Sequence, residues 1–166
     1  MPRPSARDLE AVFERSPILI SRLLLLVMPD DTPQRIVEMA HEILDSLDER
    51  DRIATLDAHP RIGAPASALS PRSVTEQGAA ADAATERELA DLNAAYERKF
   101  GFRFVVFVRG RTKREIVPVF RARLARTREL ELEAGIDDYL AISLDRLRSM
   151  ERASADDMRR AMDVDS

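Results

Sequence analysis

The chain has 166 residues, no cysteine and a formal net charge of −4, with charges of both signs spread along it. This length suits a domain that buries its own core, and the lack of cysteine excludes disulfides, a thiolate nucleophile and Cys-ligated metal sites. The mixed charge argues against a nucleic-acid surface, and the longest apolar stretch, 18–28, is too short to span a bilayer. Because no apolar signal segment follows Met1, we expect a cytoplasmic protein without nucleic-acid or membrane partners.

Helical spacing of apolar residues dominates the chain and predicts an all-α fold. Ser5 is placed to cap a first helix, and Thr112 with Glu115 forms a capping-box pattern. Pro17 stands at the start of a helix, and Gly101 stands at the end of another. Together these signals predict a single-domain compact bundle of about seven to nine helices. The predicted helices cover 5–13, 17–28, 34–50, a segment that ends at 100, one that opens at 112 and a last one at 128–152.

Three other parts of the chain do not follow this periodicity. The stretch 56–71 carries three prolines and a glycine, which predicts a loop or short turns, and long ordered loops are often functional. Segment 102–108 has strand propensity but no ladder partner in a helical chain, so we expect an extended buried segment. Residues 153–166 are polar and are predicted to be a frayed tail outside a domain at 1–152.

His59 is the side chain that most directly suggests chemistry. It precedes Pro60 in a turn, and a histidine near its neutral pKa on a proline-stiffened loop is a candidate proton donor or acceptor. The motif Ser73-x-x-Glu76-Gln77 follows, and Glu76 offers a carboxylate to hold the imidazole. The residue types alone leave plain alternatives open. His59 could be a loop residue bonded to backbone, and Ser73 with Glu76 could be a capping box.

Several short motifs occur in an order that is specific as a set. They are Glu-Arg-Ser-Pro at 14–17, the His59-Pro60 step, the Ser73 motif, Leu-Asn-x-x-Tyr-x-x-Lys-Phe-Gly-Phe-x-Phe at 92–104, and Ile-Ser-Leu-Asp-Arg-Leu at 142–147. With them the chain resembles the OHCU decarboxylase family over nearly its whole length. OHCU is 2-oxo-4-hydroxy-4-carboxy-5-ureidoimidazoline, the last intermediate before (S)-allantoin in urate breakdown. The resemblance implies an all-helical domain, usually a homodimer, that acts on a small molecule without a metal or organic cofactor.

The resemblance also implies roles for individual residues. His59 matches the catalytic histidine of the family, and Pro60 matches its positioning neighbour. Ser73, Glu76 and Gln77 match the substrate-binding motif. The remaining matches are Arg146, which matches an arginine of the last helix, and the segment of Phe104, Val105, Val106, Phe107 and Val108, whose main-chain groups line the substrate ring.

These residue types suit a decarboxylation. Loss of CO2 leaves electron density on a carbon beside a carbonyl or imine. That density must be spread and then protonated on one face, and a histidine can deliver the proton. Glu76 then has a catalytic role, because it fixes the imidazole tautomer and favours the charged form. Arg146 has a catalytic role if it binds a carboxylate through a two-pronged contact. Without the resemblance, Arg146 is by default a solvated salt-bridge residue.

Two arginines depart from the family pattern. Arg61 follows His-Pro where an acidic residue is usual, and Arg103 replaces the proline of Phe-Gly-Phe-Pro-Phe. We predict a carboxy-lyase that converts OHCU to (S)-allantoin. Two alternatives stay open: a family paralogue that acts on a related ureido or carboxy-imidazole compound, and a non-catalytic helical binding module.

Overall fold

The computed structural model describes residues 3–14, 16–65, 68–78 and 81–164. Within these ranges the chain forms eight α-helices and no β-strand, which confirms the all-α prediction. None of the helices in these ranges is long and apolar enough to cross a membrane. The helices are α1 (Ala6–Val12), α2 (Pro17–Leu26), α3 (Pro33–Ser46), α4 (Glu49–Ala58), α5 (Pro71–Gln77), α6 (Ala83–Phe100), α7 (Lys113–Leu124) and α8 (Arg128–Val164).

The helix caps predicted from the sequence are confirmed. Ser5 Oγ accepts a hydrogen bond from the N–H of Asp8 at 3.2 Å, within a capping box that opens α1. Thr112 and Glu115 form the capping box of α7. Gly101 ends α6 in the left-handed conformation, with φ at +81°, where a side chain would be strained. Local sequence therefore fixes several of the helix boundaries.

Two parts of the chain differ most from the prediction. The predicted helix at 34–50 is two helices, α3 and α4, and α4 extends into the loop predicted at 56–71. The sequence did not mark α4 because this helix buries only Thr55 and Leu56 and has no clear apolar stripe. The prediction of a frayed end after residue 152 is also wrong, since α8 continues to Val164. Its last turns are mostly exposed, and their alanine, arginine and methionine residues favour helix without burial. Residues 165 and 166 lie outside the described ranges, and the division into a domain and a tail stays a prediction.

The chain divides into two compact units. The first comprises Met1–Asp48 and Leu140–Ser166, and the second comprises Glu49–Tyr139. In the second unit an aromatic cluster surrounds Tyr96, which is fully buried. Phe104 and Phe120 stack there with ring centroids 3.7 Å apart, so the cluster fixes the start of the segment at 102–108.

Candidate active site

His59 lies directly after α4, in the second unit, and its ring packs against Tyr139. The His59 N–H donates to the carbonyl of Leu56 at 3.0 Å, which closes the last turn of the helix. The imidazole and the Tyr139 ring meet edge to face, with centroids 6.2 Å apart and planes at 80°. Only 8% of His59 is exposed, whereas His41, the other histidine, lies on the surface of α3. His59 is therefore a buried, oriented residue and not a surface loop side chain.

Two buried amide side chains hold the main chain that follows the His-Pro step. Gln77 Oε1 accepts from the N–H of Gly63 at 2.9 Å, and Gln77 Nε2 donates to the carbonyl of Arg61 at 3.3 Å. Asn93 Nδ2 donates to the carbonyl of Ile62 at 3.0 Å and to a carbonyl one turn earlier in α6. Each residue from 61 to 63 is therefore bonded through its main chain to a side chain of α5 or α6.

α5 places the Ser-x-x-Glu-Gln motif. Its N-cap is Ser70, with Pro71 in the first turn, and Ser70 Oγ accepts from the N–H of Ser73 at 3.1 Å. The alternative that Ser73 and Glu76 form a capping box is therefore wrong, because a proline suits the first helical position and moves the cap to the serine before it. Ser73, Glu76 and Gln77 lie on one face of α5, with Ser73 and Gln77 buried and Glu76 half-buried.

The segment at 102–108 runs without helix or strand, and most of it is buried, as predicted. Phe104, Val105, Val106 and Val108 are buried, and Phe107 is half-buried. These residues lie in the second unit with His59 and α5.

Arg146 lies in the first unit, in a buried ion pair. Its Nη2 lies 3.0 Å from Glu14 Oε1, and its Nη1 donates to the carbonyls of Val12 at 3.2 Å and Ala11 at 3.3 Å. The default interpretation of a solvated salt-bridge residue is wrong, since Arg146 is 1% exposed. Its guanidinium supports the end of α1, and its role toward a substrate stays a prediction. Arg15, within the 14–17 motif, lies outside the described residues.

A comparison with protein families gives a match to OHCU decarboxylase over residues 2–148. The chain belongs to this family. It is 31% identical over 121 residues to a uric acid degradation bifunctional protein of Arabidopsis thaliana, with 68% of this chain and 37% of that protein covered. It is 29% identical over 143 residues to the uric acid degradation bifunctional protein of Bacillus subtilis, with 84% of this chain and 28% of that protein covered. The chain thus spans roughly a third of the length of these relatives.

Two solved structures are similar to this OHCU decarboxylase family member. A crystal structure of OHCU decarboxylase in the presence of (S)-allantoin superposes with a TM-score of 0.71 at 25% identity, covering 86% of this chain and 96% of that one. A crystal structure of (S)-allantoin synthase gives a TM-score of 0.63 at 21% identity, covering 87% of this chain and 48% of that one, and it shows the fold alone.

The two arginines that depart from the family pattern both have anionic or carbonyl partners. Arg61 forms a two-pronged pair with Glu97, with contacts of 2.6 and 3.0 Å, and this hydrogen bonding raises the pKa of Arg61. Arg103 Nη1 donates to the carbonyl of His59 at 3.1 Å, and its N–H donates to Asp57 Oδ1 at 2.9 Å. Through the first of these bonds Arg103 helps to fix the main chain of His59.

Arg61, Arg103, Asp57 and Glu97 line an open polar cleft of about 250 Å³. The two arginines offset the charge of the two carboxylates.

Sequence reasoning predicted no role for several buried polar residues, although Asn93 belongs to the motif at 92–104. Asn93 follows Leu89 by four residues and precedes Tyr96 by three, so helical spacing places it on the buried face of α6. Arg123 and Glu131 form a buried ion pair with a 2.9 Å contact, although neither stood out among the many charges of α7 and α8. The burial of Asn93 could have been predicted, because it lies at helical spacing from the buried apolar residues of α6. No comparable signal marked the other two.

Proposed function

We propose that this chain decarboxylates OHCU and releases (S)-allantoin without a metal or organic cofactor. The observation that carries the proposal is His59, a largely buried histidine with an oriented ring and a fixed main chain, in a member of the OHCU decarboxylase family. Relatives named for uric acid degradation and a structural neighbour crystallised in the presence of (S)-allantoin support this choice of substrate and product.

The proposed reaction breaks the bond between the ring carbon and the carboxylate. CO2 leaves, the electron pair stays on the ring carbon and spreads into the adjoining imine or carbonyl, and a new C–H bond forms. His59 supplies the proton to one face, which makes the product a single enantiomer, and such general acid help is worth roughly 10²–10⁴-fold in rate. Glu76 holds the imidazole in the tautomer and charge state that this step needs.

The polar groups around His59 are proposed to bind the ring and ureido amides. Ser73 is buried on the same face of α5 as Glu76, and the main chain from Phe104 to Val108 supplies amide donors and acceptors. Gln77 already bonds the loop through one N–H and its carbonyl oxygen, so it has one N–H left for a ligand. Its contribution is thus chiefly to hold the loop that begins at Pro60.

Arg146 enters the proposal on the resemblance alone, as a residue that binds a carboxylate. Its observed partners, Glu14 and two carbonyls of α1, give it a separate role in stability.

The finer features of the setting also belong to the proposal. The absence of cysteine supports a reducing cytoplasm. The family resemblance supports a homodimer that acts on a small molecule, which size-exclusion chromatography with light scattering would test directly.

The deciding experiment follows the optical activity of allantoin formed from freshly generated OHCU. Wild type, His59→Ala and His41→Ala are compared, because His41 is the only other histidine and is exposed. We expect rapid build-up of the (S) enantiomer with wild type and with His41→Ala. His59→Ala should fold normally by circular dichroism and yield racemic allantoin at the uncatalysed rate.

Other outcomes lead to the alternatives. Racemic product at the uncatalysed rate with wild type rejects OHCU as the substrate, and related ureido and carboxy-imidazole acids are then tested with the same variants. A His59→Ala protein that retains full (S)-selective activity rejects His59 as the proton donor. Binding of ureido acids without turnover would favour the helical binding module.

A further inference from the structure

The buried segment at 102–108 obtains hydrogen bonds for its main chain from side chains, not from a neighbouring strand. Buried main-chain groups need partners, so the donors and acceptors can be followed one by one. The carbonyl of Val105 accepts from Arg123 Nη1 at 2.8 Å. The carbonyl of Phe107 accepts from Arg111 Nη2 at 2.7 Å. Side chains of α7 and of the turn before it thus take the place of a ladder partner.

From Arg103 to Phe107 the anchored residues are spaced by two. After them, the carbonyl of Val108 accepts from Arg111 Nε at 2.9 Å, where the segment turns toward α7. The N–H of Arg103, bonded to Asp57 as described above, belongs to the same series as the carbonyls of Val105 and Phe107. In an extended chain, alternate residues direct their N–H and C=O groups to the same edge, and the residues between them face the opposite edge. No described residue hydrogen-bonds to the main chain of Phe104 or Val106. Between Arg103 and Phe107 one edge is therefore anchored, and on the other edge the main chain of Phe104 and Val106 is left for a ligand.

Arg123 is the buried anchor of this edge. Its Nε donates to Glu131 Oε2 at 2.9 Å, and its Nη1 lies 3.0 Å from Asp138 Oδ2. Tyr96 donates its O–H to the same Glu131 oxygen at 2.6 Å. Replacing a buried ion pair by apolar side chains is often neutral or stabilising, so stability is a weak explanation for this network. The network holds the carbonyl of Val105 in place, which apolar side chains could not do.

Asp138 connects the network to the next anchored residue. Burial raises the pKa of the Asp138 carboxyl, while Arg123 and the main-chain N–H of Phe107 act in the opposite direction. Arg123 thus contacts the Val105 carbonyl directly, and its ion-pair partner Asp138 is influenced by the main chain of Phe107.

We propose that Arg123, held by Glu131 and Asp138, is a positioning residue that fixes the Val105–Phe107 edge and so presents the main chain of Val106 to the ring amides of the substrate. The proposal rests on the proposed function in one respect, that this segment lines the substrate. A cyclic ureide carries adjacent N–H and C=O groups, and a single extended residue offers the complementary pair. Arg123 acts through Val105 and contacts no substrate itself.

Arg123→Lys tests the proposal. Lysine keeps the positive charge opposite Glu131, but a point-like ammonium does not bridge the carboxylates and the Val105 carbonyl as a planar guanidinium does. The matched control is Arg121→Lys on the same helix, where the side chain is mostly exposed and pairs with Glu88. Three quantities are measured: hydrogen exchange of the amides at 104–108, the dissociation constant for hydantoin as a cyclic ureide probe, and KM and kcat for OHCU.

We expect Arg123→Lys to speed amide exchange in the segment, and to raise the hydantoin dissociation constant and KM each by about tenfold, the effect of one lost hydrogen bond. Its kcat should change less than its KM, and Arg121→Lys should match wild type in all three. If Arg123→Lys does not fold, Glu131→Gln is used, which keeps an acceptor for Arg123 and should shift the same quantities in the same direction.

The outcomes separate the two proposals. Unchanged amide exchange in a folded variant overturns the anchor. Faster exchange with unchanged hydantoin affinity and KM overturns the positioning role, as does a wild type that binds no hydantoin. A wild type that binds hydantoin in an Arg123-dependent way but does not speed the conversion of OHCU beyond the uncatalysed rate supports the anchor and refutes the proposed decarboxylation.

Discussion

Arg146 and Glu14 form an ion pair whose nitrogen and oxygen lie 3.0 Å apart, and both side chains are more than nine-tenths buried. Arg146→Met leaves a buried carboxylate and the carbonyls of α1 without this donor. Breaking such a pair costs about 3–5 kcal/mol, so we expect the free energy of unfolding to fall by that amount in urea titrations.

The control for this prediction is Arg35→Met. Arg35 pairs with Glu38 on the exposed surface of α3, and surface pairs contribute only about 0–1 kcal/mol. Equal stability of the two variants would contradict a structural role for Arg146. Any loss of activity in Arg146 variants has to be measured under conditions where the variant is fully folded.

Gln77→Ala should lower both stability and kcat. The N–H of Gly63 and the carbonyl of Arg61 lose their partner, which costs about 1–3 kcal/mol, and the loop that carries His59 loses an anchor. A misplacement of about 1 Å can cost about 10²-fold in rate. The only other glutamine, Gln34, is exposed and serves as the control through Gln34→Ala. Wild-type kcat in a folded Gln77→Ala protein would rule out this anchoring role.

Gly63→Ala should be more destabilising than Gly78→Ala. Both glycines have positive φ, +78° and +71°, so alanine is strained at each. An added Cβ at Gly63 would also lie 3.2 Å from Leu89 Cδ1, whereas at Gly78 no described residue beyond its chain neighbours comes within 4 Å of the added carbon. Crowding typically costs about 1–3 kcal/mol, and thermal unfolding of the two variants measures the difference. Equal losses would show that the Gly63 turn relaxes freely.

Glu115→Gln should change the acid stability of the protein. The N–H and hydroxyl of Thr112 hold the pKa of Glu115 below its usual value. A folded pKa below the unfolded one adds stability above the unfolded pKa, and this contribution is lost as the pH falls through the folded pKa. Wild type should therefore unfold at a higher temperature than Glu115→Gln at pH 7, and the difference should shrink as the pH falls below the unfolded-state pKa of glutamate, about 4.3. A difference in Tm that does not depend on pH would contradict the carboxylate effect.

Local rules were sufficient for much of the fold. The caps at Ser5 and Thr112 and the end of α6 at Gly101 depend on neighbouring residues, so the sequence predicts them directly. α4 could not be predicted in this way, because it buries few residues and so carries no apolar stripe at helical spacing. Ser70 followed by Pro71 indicates the start of α5, but the Ser-x-x-Glu pattern at Ser73 suggested a cap three residues later.

The candidate site was predictable only in part. The positions of His59 and Ser73 in the sequence gave candidates, and their burial is consistent with a functional role. The residues that hold the loop and the segment were not apparent, because Asn93 is 31 residues from Ile62, and Arg123 is 18 from Val105. Such distant pairings depend on the fold as a whole, and no local pattern encodes them.

The division of the chain into two units has a chemical consequence. All six methionines lie in Met1–Asp48 or Leu140–Ser166, and there is no cysteine, so the unit that contains His59 has no sulfur atom. Peroxide converts exposed methionine to its sulfoxide. Among the described residues Met28, Met158 and Met162 are exposed, whereas Met39 is buried in α3. Oxidative damage would thus begin at the surface of the first unit and leave the residues around the candidate proton donor chemically unchanged.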